Sequence, residues 1–298
     1  MNYPVFDLHC DTPVRLYWSG ESLEHNTGHI DLERAQKLNG FRQFFAFCCV
    51  YDEAGNPLAQ KDTELLFRNA LSAFVKELRI VNQLPASMPI LSLEGPEAID
   101  CDPARLEWLY EQGFRMTTLT WNYANKLAGS CMTGEGLTDQ GREFVKEAQR
   151  LGIAIDVSHL SDKAFWDLVD ITQKPILASH SNSRACCDHV RNLTDDQFRA
   201  IRDLGGLVGM NLYAPFLNIS GKATLDDVKR HLAHWLELGG EQTVALGGDL
   251  DGCDELPAGF TGIESYPTLF ENLRQTFLES QVLSMFTKNA EQFFNLLF

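Results

Sequence analysis

Short apolar runs alternate with longer stretches of helical period along the whole chain. The runs fall at 5–9, 43–49, 90–93, 116–119, 153–157, 176–178, 207–211 and 244–247, and each is short enough for a buried strand. Between them the apolar positions recur every three to four residues, as over 60–82, 105–111, 143–151 and 225–238, which predicts amphipathic helices. Ser161, Thr194 and Thr224 stand where helix N-caps belong, each followed by an acidic residue that suits the positive end of the helix dipole. Gly113, Gly152, Gly205 and Gly239 follow helical runs as stop signals. Strands alternating with helices imply a parallel sheet with both faces covered. Eight βα units in roughly 250 residues match a closed α/β barrel, the (β/α)8 TIM barrel, better than an open sheet. No linker or compositional break divides the chain, so residues 1–298 are expected to form a single domain. The stretch 18–40 is long for a βα connection and is expected to form an active-site loop.

Active sites of such barrels lie at the C-terminal ends of the strands, so the residues that follow each apolar run decide the chemistry. The first run ends in His9-Cys10-Asp11, where i and i+2 of an extended segment point to one side. The third delivers Glu94, the fifth His159, the sixth His180, and the eighth Asp249 within the motif GGDLDG. Any one of these alone reads as a satisfied strand-end polar group. Together they are three imidazoles and three carboxylates converging on one barrel face. Charged residues seldom follow buried strands without a partner or a metal, and this donor set suits two divalent ions sharing a bridging carboxylate.

Composition narrows the field further. Lys and Arg number 25 against 41 Asp and Glu, a formal net charge of −16, which disfavours a nucleic-acid backbone or an anionic membrane as partner. The hydrophobic fraction of 44% is ample for a large core and excludes a disordered chain. The eight cysteines include two vicinal pairs and no C-x-x-C, so they read as small buried hydrophobes in a reducing compartment. The N-terminus MNYPVFDLHCD has neither a basic nor a long apolar segment, and a cytoplasmic location is expected. No P-loop, G-x-G-x-x-G after the first strand, G-x-S-x-G or H-E-x-x-H occurs, which lowers the case for kinases, dehydrogenases, serine hydrolases and zincins.

The order H-x-D, E-G, S-H, S-H and G-G-D-x-D-G resembles the membrane (renal) dipeptidase family, peptidase family M19, among the amidohydrolase-like metal-dependent hydrolases. The resemblance implies two zinc ions, with His9 and Asp11 on one, His159 and His180 on the other, and Glu94 bridging them. It implies that Asp249, beside the first ion, handles the proton of a hydroxide held between the metals, and that Arg191 in His189-Val190-Arg191-Asn192 grips the substrate's terminal carboxylate. It further implies hydrolysis of dipeptides, including those with a D-residue at the C-terminal position. Family members related to the renal enzyme carry L-T-H after the fourth strand, where this chain has Leu119-Thr120-Trp121-Asn122. Trp121 can donate one hydrogen bond but neither accept one nor carry charge. Trp121 and Asn122 are expected to face the substrate, with Tyr123 and Asn125 beside them. His231 and His234 are expected to be structural, Asp251 to shape its loop, and His25 and His29 to be solvated. The competing readings are an amidohydrolase acting on another carboxylate-bearing amide, such as an N-acyl amino acid or a lactam, and a catalytically silent metal-binding relative. A phosphoesterase is disfavoured because no Lys and Arg cluster beside the ligands. The acidic exterior is compatible with a homodimer.

Overall fold

Parallel strands buried on both faces read as near-continuous apolar runs, and the eight runs form eight strands. They are β1 Val5–Cys10, β2 Phe41–Cys48, β3 Pro89–Glu94, β4 Phe114–Thr118, β5 Ala154–Asp156, β6 Leu177–Ala178, β7 Leu207–Met210 and β8 Val244–Leu246. The structure, a computed structural model, describes residues 3–80 and 89–297. Neighbouring strands pair in parallel, and β8 returns to β1 through Asp7 and Leu246, so the sheet closes as a barrel in sequence order. This is the expected (β/α)8 architecture.

Two apolar layers hold it together. Inside the barrel, Phe6, Leu8, Phe44, Met116, Ala154, Leu177, Leu207 and Ala245 pack against Phe293 and Phe294 of the last helix, Asn289–Leu297, which plugs the N-terminal mouth. Between strands and helices lies the larger layer, from Val5 and Phe45 through Trp235 to Phe286. With one mouth plugged by phenylalanine, the polar ends of the strands gather at the other.

The predicted caps are present. Ser161 Oγ accepts from Ala164 N at 3.0 Å, Thr194 Oγ1 accepts from Gln197 N at 3.2 Å, and Asp227 accepts from Thr224 N at 2.8 Å. All four predicted stop glycines have positive φ. The helix expected over 143–151 begins four residues sooner, at Asp139, capped by Thr138. Gly141 obscures that start because glycine disfavours helices, yet a Cβ there would lie 2.2 Å from Leu127 O. The run expected over 105–111 opens with a 3-10 turn, Pro103–Arg105, before the helix Leu106–Glu111. The helix Gln60–Ile80 is as expected; residues 81 and 82 of that prediction lie outside the described residues.

Candidate metal centre

The six candidate ligands come from five strand ends and are all buried. In β1, Phe6 and Leu8 face the barrel interior, so strict alternation would turn His9 outward. The β1–β2 register shifts between Asp7 and Cys10, and this irregularity swings His9 inward as well. Asp7 fixes the turn: its carboxylate accepts from His9 N at 2.9 Å and from Gly248 N at 3.0 Å, and it bonds Tyr266. Strand β1 is thereby fastened to the loop that carries Asp249.

Glu94 divides the site. Its Oε2 lies 3.4 Å from His9 Nε2, while its Oε1 lies 2.9 Å from His159 Nε2 and 3.5 Å from His180 Nε2. His9 Nε2 is also 3.3 Å from Asp11 Oδ2 and 3.7 Å from Asp249 Oδ1. One carboxylate thus turns an oxygen to each of two clusters, His9 with Asp11 and Asp249, and His159 with His180.

The outer atoms of the imidazoles are held in place. His159 Nδ1 meets Asn122 Oδ1 at 2.9 Å, and His180 Nδ1 meets Ser179 Oγ at 2.7 Å. Ser179 donates its own proton to Asp156, so its oxygen accepts from His180 Nδ1–H. Asn122 Oδ1 is likewise an acceptor. Both Nδ1 atoms then carry the proton, and both Nε2 atoms present lone pairs, 3.1 Å apart and beside Glu94 Oε1. Three acceptors with no proton among them repel unless a cation lies between. Asp11 Oδ1 is buried and has no hydrogen-bond partner, a second unmet acceptor. The ligand atoms of His9, Glu94 and His180, and of His9, Asp11 and Asp249, lie within 4.8 Å of one another. The donor set therefore fits divalent cations bound by nitrogen and oxygen.

The clustered groups also shift one another. Burial, then the charge of Glu94, pushes Asp11 up to about 7. Asp249 is raised, chiefly by burial. Burial would lower His9, but Glu94 and Asp11 outweigh it and hold it well above its usual value. His159 falls to about 4 through burial and then the charge of Arg191. The backbone is strained at the same place: His159 has φ 69° and Asp249 φ 57°, a region that costs a non-glycine residue about 1–2 kcal/mol. Gly252 is required beside them, since a Cβ there would sit 2.1 Å from Asp11 Oδ2.

Above the ligands opens a cleft of about 160 Å³. Trp121 lines it, stacked on Tyr51 with ring centroids 4.7 Å apart and flanked by Tyr123. Arg191 also lines it, 6% exposed, with its Nε unbonded, one contact to His180 O at 3.4 Å, and no ion pair among the described residues. A buried guanidinium without a carboxylate is costly, which marks it as waiting for an anion. Asn122 lines the cleft and orients His159 at once. Asn125 instead bonds Glu97 and Leu119 O and braces the loop after β4. A larger hollow of about 530 Å³ lies outside the barrel among Arg142, Lys146, Arg150 and Lys174. It gathers no imidazole and no buried carboxylate, so size does not mark the site.

The stretch 18–40 contributes no residue to the cleft. It buttresses the site instead, because Asp251 accepts from His29 N at 2.6 Å and from Thr12 at 2.6 Å, while His29 Nδ1 accepts from Asp251 N at 2.9 Å. His29 is therefore a fastener and not a solvated side chain; His25 is exposed beside Glu33. His231 and His234 are structural, bonded to Ser183 N with Leu217 O and to Asp195. Asn211 went unnoticed in the sequence: it donates to Asp249 Oδ2 at 2.9 Å. Its position directly after β7 was the available signal.

The model of the membrane dipeptidase family, peptidase family M19, matches residues 1–295. The chain belongs to the membrane dipeptidase family. A metallo peptidase from Rhodobacter sphaeroides, liganded with a phosphinate mimic of the dipeptide L-Ala-D-Ala, superposes with a TM-score of 0.90 at 27% identity, covering 100% of both chains. The dipeptidase AC, an M19 metallo peptidase, gives 0.89 at 28% identity, over 100% of this chain and 98% of that one. An uncharacterized dipeptidase of Schizosaccharomyces pombe is 27% identical over 312 residues, 92% of this chain and 76% of the relative. As a membrane dipeptidase family member the chain has a metallopeptidase barrel. Among its described residues, no helix is long and apolar enough to cross a membrane.

Proposed function

We propose that this protein hydrolyses the peptide bond of dipeptides, including those ending in a D-residue, with two zinc ions at the cluster around Glu94. The observation that carries the reading is the division of Glu94, one oxygen toward His9 and the other toward His159 and His180. His9 and Asp11 would hold one ion, with Asp249 beside it, and His159 and His180 the other. When bound, such a pair lowers the pKa of water toward neutrality and polarises the scissile carbonyl.

The chain's own groups do the rest. Asn211 occupies Asp249 Oδ2 and leaves Oδ1 to accept the proton of the attacking water. Asp249 then returns that proton to the leaving amine, a service worth about 10²–10⁴-fold. Arg191 takes the substrate's terminal carboxylate by charge-assisted hydrogen bonds. Trp121 closes the cleft as an apolar wall, since its indole offers a single donor. The dipeptide mimic held by the Rhodobacter neighbour supports both the substrate class and the D-configured end.

The test is a screen of L-X-L-X and L-X-D-X dipeptides against N-acyl amino acids, with metal content measured on unchelated protein. Dipeptide turnover with about two divalent ions per chain is expected. Turnover of N-acyl amino acids alone would transfer the assignment to an amidohydrolase, and a metal content near zero would overturn the centre itself.

A further inference from the structure

Apart from the candidate ligands, the cleft presents two ionised side chains, Arg191 and Asp254. Two aromatic side chains, Phe216 and Tyr213, link them. The Arg191 guanidinium lies 5.4 Å from the centre of the Phe216 ring, and Phe216 meets Tyr213 edge-on at 4.9 Å. Tyr213 adjoins the segment of Asp254, to which it is joined by the backbone hydrogen bond from Ala214 N to Glu255 O at 2.8 Å. The Tyr213 phenol is raised by burial and then by the charge of Asp254, as expected for close neighbours. Asp254 is exposed at the rim, and no described Lys or Arg pairs with it.

A dipeptide is a zwitterion. With consecutive Cα atoms 3.80 Å apart, its charged ends lie within about 7 Å of one another. With two charge-assisted contacts of about 3 Å at its ends, such a molecule reaches about 13 Å, and between Arg191 and Asp254 stand Phe216 and Tyr213. These side chains therefore offer a cation for the carboxylate, two rings for what lies between, and a carboxylate for the amine. We infer that Asp254 recognises the free α-ammonium of the substrate, and so selects dipeptides over N-acylated or des-amino amides. This rests on the dipeptidase reading and adds the amine-binding end, which neither the metal cluster nor Arg191 supplies. Because Asp254 sits at an exposed rim, its effect is moderate, about two- to fivefold on affinity.

The test is calorimetric binding of two phosphinates to metal-loaded protein: the mimic of L-Ala-D-Ala and the same compound lacking its amino group. Asp254→Asn should weaken the amino-bearing mimic about two- to fivefold and leave the des-amino compound unchanged. In turnover, KM for the dipeptide should rise by the same factor with kcat within about twofold. An equal shift for both phosphinates, or none for either, would overturn the role of Asp254. Failure of both to bind the wild-type protein would overturn the cleft as a dipeptide site. Absent dipeptide hydrolysis by the wild type, with selective loss of the amino-bearing mimic in Asp254→Asn, would leave amine recognition standing and sink the dipeptidase reading alone.

Discussion

Replacing Ser179 by Ala removes one oxygen from the wall of the centre without touching a candidate ligand. His180 is 1% exposed and its Nδ1–H has Ser179 Oγ as acceptor at 2.7 Å. Asp156 loses the hydroxyl that satisfies Oδ2, while Oδ1 keeps the amides of Ser158 and Ser179, both at 2.9 Å. Two buried polar groups are thus left unpaired, each costing about 1–3 kcal/mol. The metal-free protein should lose about 2–6 kcal/mol of unfolding free energy, read by urea titration. Metal affinity should fall about 10–100-fold in competition with a chelator, because an imidazole no longer held in one tautomer is a poorer ligand. Asn122→Ala is the comparison. Asn122 orients His159 from a cleft-lining position, where water replaces the lost acceptor, so its stability cost should be the smaller. A Ser179→Ala protein within about 0.5 kcal/mol of wild type, with unaltered metal affinity, would refute the tautomer reasoning.

Two further perturbations follow. Asp249→Asn should retain metal and fold, since asparagine tolerates the left-handed backbone at φ 57°, while kcat falls about 10²–10⁴-fold; near-normal turnover would remove Asp249 from proton transfer. His231, fully buried, is lowered from 6.5 to about 4, chiefly by burial. The unfolded chain therefore binds the proton first as pH drops. Stability from this group is complete above pH 6.5 and falls toward pH 4, amounting to about 2 kcal/mol by pH 5. Urea unfolding of wild type and His231→Gln at pH 7 and 5 checks this: the gap between them should narrow by about that amount, and a constant gap would exclude His231 as a source of acid sensitivity.

The strands were legible because both faces of a parallel barrel strand are buried, which leaves an apolar run that few other elements imitate. Their ends were not. The runs at 153–157 and 176–178 supply only the three residues of β5 and the two of β6, since Ser158 N and Ser179 N bond the Asp156 side chain in place of a ladder partner. The metal-site candidates were legible where a His, Asp or Glu followed a run, and the residues that brace them were not. Asn211 and Ser179 carry no charge to make their position conspicuous, yet one holds Asp249 and the other His180. Spacing alone also did not show how His9 comes to face inward. The H-x-D pattern puts His9 and Asp11 on one side, but only the register shift after Asp7 makes that side the interior.

Several features that break the ordinary rules of folding coincide at the cleft. His159 and Asp249 hold left-handed backbone, Asp11 Oδ1 is buried without a partner, and Arg191 is a buried cation without an anion. None of these stabilises the chain by itself. A core residue explains its position through what it packs against. Under the proposed function these residues gain that explanation from a ligand, a divalent cation for the acceptors and a carboxylate for Arg191. The two demands differ in sign and are met on neighbouring walls of one cleft. A substrate that brings its carboxylate to Arg191 therefore carries the bond next to it toward the cation site, which is the orientation a dipeptidase needs.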